Sequence, residues 1–130
     1  MAAVAVAQTI KTIRDENLLE NARRVGAIML NRLLELKEKY EFVGDVRGRG
    51  LLLGLDLVED DTTRRELSPK VMEIIFKEAL RRGLLMMGYF PRVRINPPLI
   101  INERQAEAGL DILDEVFAYI SDKVNWRTGQ

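Results

Sequence analysis

The chain has 130 residues, 47% of them hydrophobic and 31% charged, a composition that fits one ordinary globular domain and argues against a disordered, fibrous or membrane-spanning class. It holds no cysteine and no histidine, which removes disulfide frameworks, zinc sites and Ser-His or Cys-His catalysis from consideration. The 20 basic residues equal the 20 acidic ones, so the net charge directs the chain neither to nucleic acid nor to an anionic membrane.

Ala2 to Ala7 form a short apolar run with no basic stretch before it, so no signal peptide is expected, and no run reaches the ~18 residues of a membrane span. The expected compartment is the cytoplasm. Residues 2–14 are predicted to be a helix that is apolar around nearly its whole circumference, and such a helix needs a cover. Asn17 opens a second predicted helix over 17–39, where Leu18, Ala22, Val25, Met29, Leu33 and Leu36 recur at steps of three and four.

From Phe42 the period changes. Val43 to Gly50 and Leu51 to Val58 read as two extended segments joined by glycines, and Gly54 suggests a bulge or a close backbone approach. Gly48 and Gly50 do not make a phosphate-binding fingerprint, because Leu53 stands where the third glycine belongs and a strand follows. Arg47 and Arg49 read as surface ion-pair partners. Glu59 to Glu66 is a charged connection, and its Glu59-Asp60-Asp61 run lacks the ligand spacing of a calcium loop, so no metal ligand is assigned.

Ser68 as cap and Pro69 at the first helical position start a third helix, which Gly83 ends. Leu84 to Met87 reads as a short buried strand, with Met86, Met87, Tyr89 and Phe90 as core and lip packing. In Arg92-Val93-Arg94-Ile95, alternation puts the two arginines on the face opposite Val93 and Ile95. Pro97 and Pro98 stop that strand. Asn102 with Gln105 three residues on predicts a capping box, and the last helix carries Ala106, Leu110, Leu113, Phe117 and Ile120 inward. Asp111, Asp114 and Glu115 read as its wet face, and the tail at Thr128 and Gly129 is expected to fray.

The order predicts an α+β domain: a small, mostly antiparallel sheet with helices on one face, preceded by a long helix. Among its arginines, which outnumber the lysines 14 to 6, Arg94 combines a backbone fixed by the strand with a planar fork on the outward face. Either it clamps a carboxylate or it is an edge-strand arginine in water.

Four stretches in order resemble the carboxyl-terminal part of class III pyridoxal-phosphate aminotransferases, the group containing ornithine, acetylornithine and 4-aminobutyrate aminotransferases. They are Glu16-Asn17-Leu18-Leu19-Glu20-Asn21-Ala22, Val43 to Gly50 with Leu51 to Leu55, Arg94-Ile95-Asn96-Pro97-Pro98-Leu99, and Gly109-Leu110-Asp111-Ile112-Leu113. The resemblance implies the small domain of a fold-type I pyridoxal-phosphate enzyme over residues 17–130, with 1–16 as an interdomain helix. It also implies that Arg94 receives the substrate carboxylate as a bidentate pair. The parent reaction would move an amino group from an amino acid, or a 4-aminobutyrate or ornithine-type donor, to a 2-oxo acid.

The family's active chains are much longer. Its Schiff-base lysine, the aspartate that pairs with the pyridine nitrogen and the phosphate-binding turn have no counterpart here. The chain alone is therefore expected to be inactive, with no catalytic residue and no pyridoxal phosphate bound. The implied partners are a substrate carboxylate, the missing large domain or a second subunit, and further copies in a homo-oligomer, with no nucleic acid and no membrane. A non-enzymatic carboxylate-binding or assembly module, or part of a related amino-acid racemase or aminomutase, stands as the alternative.

Overall fold

The computed structural model describes residues 1–127, and the fraying expected at Thr128 and Gly129 lies outside the described residues. Four helices and five strands follow in the order α1 (Ala2–Asp15), α2 (Leu18–Lys39), β1 (Val43–Arg49), β2 (Leu52–Asp60), β3 (Arg65–Glu66), α3 (Pro69–Arg81), β4 (Met87–Tyr89), β5 (Arg92–Ile95) and α4 (Glu103–Lys123). The fold is α+β, with an all-antiparallel sheet in the order β1-β2-β5-β4 and β3 beside the far end of β2. No helix among the described residues is long and apolar enough to cross a membrane.

Local chemistry sets the helix ends. The Ser68 hydroxyl accepts from the Val71 N–H with Pro69 at the start of α3, and Arg82 followed by Gly83 at φ +91° closes that helix. At α4 the Asn102 side chain accepts from the Gln105 N–H while the Gln105 side chain accepts from the Asn102 N–H, satisfying two orphan donors at once. Asn17 makes no side-chain cap. It takes a left-handed conformation, φ 50° and ψ 39°, and turns the chain from α1 into α2.

One face of the sheet supplies the core. Val43, Val46, Leu53, Leu55, Leu57 and Val93 are buried on it, and α2 covers β1, α4 packs on α2, and α3 packs on α4. Two expectations for this region fail. Leu84 to Met87 is not a buried strand: β4 begins only at Met87, and Leu85 and Met87 are 84% and 62% exposed. Gly54 sits in continuous register with no close approach, since a Cβ there would meet only the Val93 oxygen at 3.7 Å. The register shifts instead at Val43/Asp45, around Gly44, and at Val58/Asp60. The charged connection is shorter than its composition suggests, because β2 continues to Asp60 and β3 takes Arg65–Glu66.

Asp114 is also not on a wet face. Tyr40 Oη donates to its Oδ1 at 2.5 Å and Lys39 Nζ lies 2.7 Å from the same oxygen, so the end of α2 is pinned to α4. Burial raises the Asp114 pKa, but the hydrogen bonds from Lys39 and Tyr40 and the charges of Lys39 and Arg32 outweigh it and hold the group below the ordinary aspartate range. A folded-state pKa below the unfolded one contributes stability above the unfolded value and loses it as pH falls through the folded one. Asp114→Asn is therefore expected to flatten the decline of stability from about pH 5 downward. Urea midpoints of the two chains across that range check it, and parallel declines would remove Asp114 as a source of acid sensitivity.

Candidate functional site

The sheet face away from the helices carries the arginines. Cross-strand register places Arg47, Gly54, Arg94 and Met87 in one row and Asp45, Asp56, Arg92 and Tyr89 in the next. Asp56 binds one arginine from each row: Arg47 Nη2 lies 2.7 Å from Oδ2 and Arg92 Nε 3.1 Å from Oδ1. Arg47 Nη1 also reaches Asp45 Oδ2 at 2.6 Å, and the hydrogen bond and charge of Asp56, with Asp45 adding to them, hold its guanidinium above the ordinary value. Arg47 is thus the surface ion-pair partner expected of it. Arg49 has no such partner among the described residues.

Arg94 differs from its strand neighbour. Two residues after the paired Arg92, it is exposed and has no hydrogen-bond or ion-pair partner among the described residues. The Gly54 beside it bears no side chain, so an open shelf lies between Arg94 and Arg47, which the ladder sets about 10 Å apart across two strand spacings. A hollow of about 370 Å³ adjoins the strand, lined by Leu84 to Met87, Arg94 to Pro98 and the α4 positions Gln105 to Leu113. A planar cation with free donors on one side and apolar walls nearby is suited to a small carboxylate. Met86 packs on the core, whereas Met87 and Phe90 are exposed, so only part of the expected lip is there, and the Tyr89 side chain lies outside the described part.

The second hollow, about 420 Å³, is at the other end of the molecule around Glu38, Glu41, Glu59, Asp60 and Asp61. Four of these five acids are already engaged. Glu59 pairs with Arg65, Asp61 with Arg64 and Glu41 with Arg127, and Asp60 accepts from the Thr63 N–H. No three acids among the described residues are placed to hold a metal ion.

Four of the six lysines are engaged in ion pairs. Lys11, Lys37, Lys39 and Lys77 face Asp15, Asp45, Asp114 and Glu73, and none of the six lines the hollow beside Arg94. The hydrogen bond to Asp114 holds the Lys39 ammonium above its ordinary pKa, the wrong direction for a nucleophilic amine. Sequence reasoning misses Asn21, whose side chain binds two backbone carbonyls just beyond the arginine strand. Its only sequence signal is a polar residue in the first turn of α2.

Comparison with known proteins bears on this site. The chain is 37% identical over 115 residues to an alanine/serine racemase of Pyrococcus horikoshii, covering 86% of the chain and 24% of that protein. It is 33% identical over 119 residues to a 4-aminobutyrate aminotransferase of Mycobacterium leprae, covering 89% of the chain and 26% of that protein. Among solved structures it superposes with a TM-score of 0.79 and 37% identity on an amine transaminase from an uncultivated Pseudomonas species in its PLP-bound form, covering 83% of the chain and 25% of that one. The chain thus spans about a quarter of the length of these relatives. The model of the family described as aminotransferase class-III matches residues 1–117, and the chain belongs to that family.

Proposed function

We propose that residues 17–130 act as the small domain of a pyridoxal-phosphate enzyme of this family, with residues 1–16 as the helix joining it to the large domain, and that Arg94 binds the carboxylate of the amino-acid or 2-oxo-acid substrate. One observation carries the reading: among the described residues Arg94 has no partner for its donors and stands beside a bare Gly54, while Arg92 on the same face is tied to Asp56. Two parallel N–H donors would fix both the position and the plane of the carboxylate. Exposed Val4, Val6 and Ile10 on α1, none of whose residues is buried, support a cover supplied by the large domain within a homo-oligomer.

Pyridoxal phosphate supplies a carbonyl that accepts amino groups and a ring that takes up negative charge from the substrate carbon. The described side chains do not fit it: an amine of lowered pKa is required, no lysine lines the hollow, and Lys39 is shifted the other way. The part of this chain is to bind and orient. Transfer of an amino group to a 2-oxo acid is the reaction proposed for the whole enzyme, and the likeness to the alanine/serine racemase supports racemisation as the second reading.

Arg94→Ala in this chain is expected to change stability by no more than ~0.5 kcal/mol. The same change at the matching arginine of a full-length relative should raise KM for carboxylate substrates roughly 10- to 100-fold, the equivalent of losing a charge-assisted pair. Arg94→Lys should not restore binding, because an ammonium cannot reproduce the planar fork, and Arg92→Ala should cost much less. If Arg94→Ala unfolds the chain, the arginine is a structural partner and the reading falls.

A further inference from the structure

Between β5 and α4 the chain runs through Asn96 to Ile101 without regular structure, and two of its residues, Pro97 and Pro98, have no N–H to offer. Within it, the Ile101 N–H donates to the Pro98 oxygen at 3.0 Å. Ile101 packs against the core, and the side-chain hydrogen bonds that tie the segment to the rest of the fold come, among the described residues, from Asn21 in the first turn of α2. Its Nδ2 donates to the Leu99 oxygen and to the Ile101 oxygen, both at 2.8 Å. Because both neighbours are carbonyl oxygens, only the NH2 end of the amide can face them. The amide oxygen accepts from Arg24 Nη2 at 3.4 Å, and Arg24 Nη1 reaches Glu103 Oε2 in the first turn of α4 at 2.8 Å.

The stretch from Arg94 to those carbonyls is short and stiff. Proline fixes its own φ and restricts the residue before it, so Asn96-Pro97-Pro98 transmits displacement rather than absorbing it. β5 has four residues, all of them paired with β2 and three of them, as far as Arg94, with β4. The ladder stops at Ile95, one residue past Arg94, and beyond it the chain is held by what anchors Leu99 and Ile101. We propose that Asn21 is a positioning residue for Arg94: by holding the Leu99 and Ile101 carbonyls against α2, it fixes the end of β5 from which the guanidinium projects. This rests on the reading of Arg94 as the carboxylate-binding group. Asn21 itself touches no ligand.

The test uses the 15N-labelled full chain. Asn21→Asp keeps the shape of the side chain but turns an anionic acceptor toward two carbonyl oxygens, and Asn21→Ala removes the donors without that repulsion. Both are expected to speed amide hydrogen exchange at Ile95 and Asn96 about tenfold while leaving β1 unchanged, as for a local opening. In titrations with 2-oxoglutarate at constant ionic strength, followed at the Arg94 Nε–Hε resonance, both should weaken binding about fivefold, roughly 1 kcal/mol. Arg24→Met, which keeps both Asn21 donors, should stay within about twofold of the unaltered chain. If the Asn21 variants lower the melting temperature but keep exchange at β5 and affinity unchanged, Asn21 is merely structural and the inference falls. If Arg94→Ala leaves intact the 2-oxoglutarate response of the neighbouring Gly54 and Ile95 backbone amides, recorded in the same titrations, the reading of Arg94 falls instead. Should Asn21→Asp fail to fold, Asn21→Ala decides.

Discussion

Alanine at Gly26 is expected to cost the chain about 3 kcal/mol of folding free energy, whereas alanine at Gly109 is expected to add up to about 1 kcal/mol. Both glycines lie inside long helices, α2 and α4, where the exchange relieves the same backbone entropy. Their surroundings decide the sign. A Cβ on Gly26 would stand 2.2 Å from the Gly50 oxygen and 2.7 Å from the Gly50 Cα, and backbone cannot swing away as a side-chain tip can. Relief requires lifting the β1–β2 turn off α2. That turn depends on Gly50 at φ +56°, a conformation few other residues adopt, and lifting it draws Leu51 and Leu53, 6% and 3% exposed, out of the core. On Gly109 the added carbon meets only Leu84 Cδ1 at 3.7 Å, an ordinary contact. Urea unfolding of the two variants side by side should separate them by about 4 kcal/mol; a Gly26→Ala chain as stable as the parent would show that the turn does not rest on α2 as described.

Signals confined to one or two turns of chain are legible in the sequence itself. Ser68 with Pro69, Gly83, and Asn102 with Gln105 all do what their spacing predicts, because a cap is a contact between residues three apart and needs nothing from the rest of the fold. The run Leu84 to Met87 misleads because a short apolar stretch says nothing about which side will be covered. Its place is set by β4 pairing with β5 from Met87 onward, which leaves Leu85 in water. Gly54 and Gly44 exchange roles for a similar reason. Glycine content marks both, yet the register alone shows that the shift falls at Gly44, where a Cβ would press on Val58 at 2.8 Å.

The candidate site is legible only in part. Alternation puts Arg92 and Arg94 on one face, and the structure keeps them there. What alternation cannot show is that Asp56, 36 residues from Arg92, takes up that arginine and leaves Arg94 without a partner among the described residues. The pattern of α4 misplaces Asp114 for the same cause, since its partners Lys39 and Tyr40 stand 75 and 74 residues away. Asn21 spans 80 residues to Ile101, and nothing in its own neighbourhood announces that reach. Gly26 carries a usable hint, an isolated glycine in a strong helical pattern, which indicates close packing when the helix tolerates its cost.

Phe117→Ala is expected to remove about 4 kcal/mol, a large share of the 5–15 kcal/mol that holds a typical domain, while Leu85→Ala should stay within ~0.5 kcal/mol. Both changes delete a large apolar side chain, and only position distinguishes them. Phe117 on α4 is fully buried, with its ring 5.2 Å from Phe42 at 83° and 5.7 Å from Tyr40 at 82°, both edge-on. Tyr40 closes α2 and Phe42 leads into β1, so the three rings join α2, the first strand and α4 at one point. The void left by Phe117 cannot be filled from one element without pulling on the other two. The same geometry predicts coupling: the Phe42→Ala, Phe117→Ala double variant should lose about 1 kcal/mol less than the sum of the single losses, because the edge-on pair is removed once rather than twice. Strict additivity in equilibrium unfolding would mean that the rings fill space independently and that the junction of α2, β1 and α4 is held by the surrounding leucines and isoleucines instead.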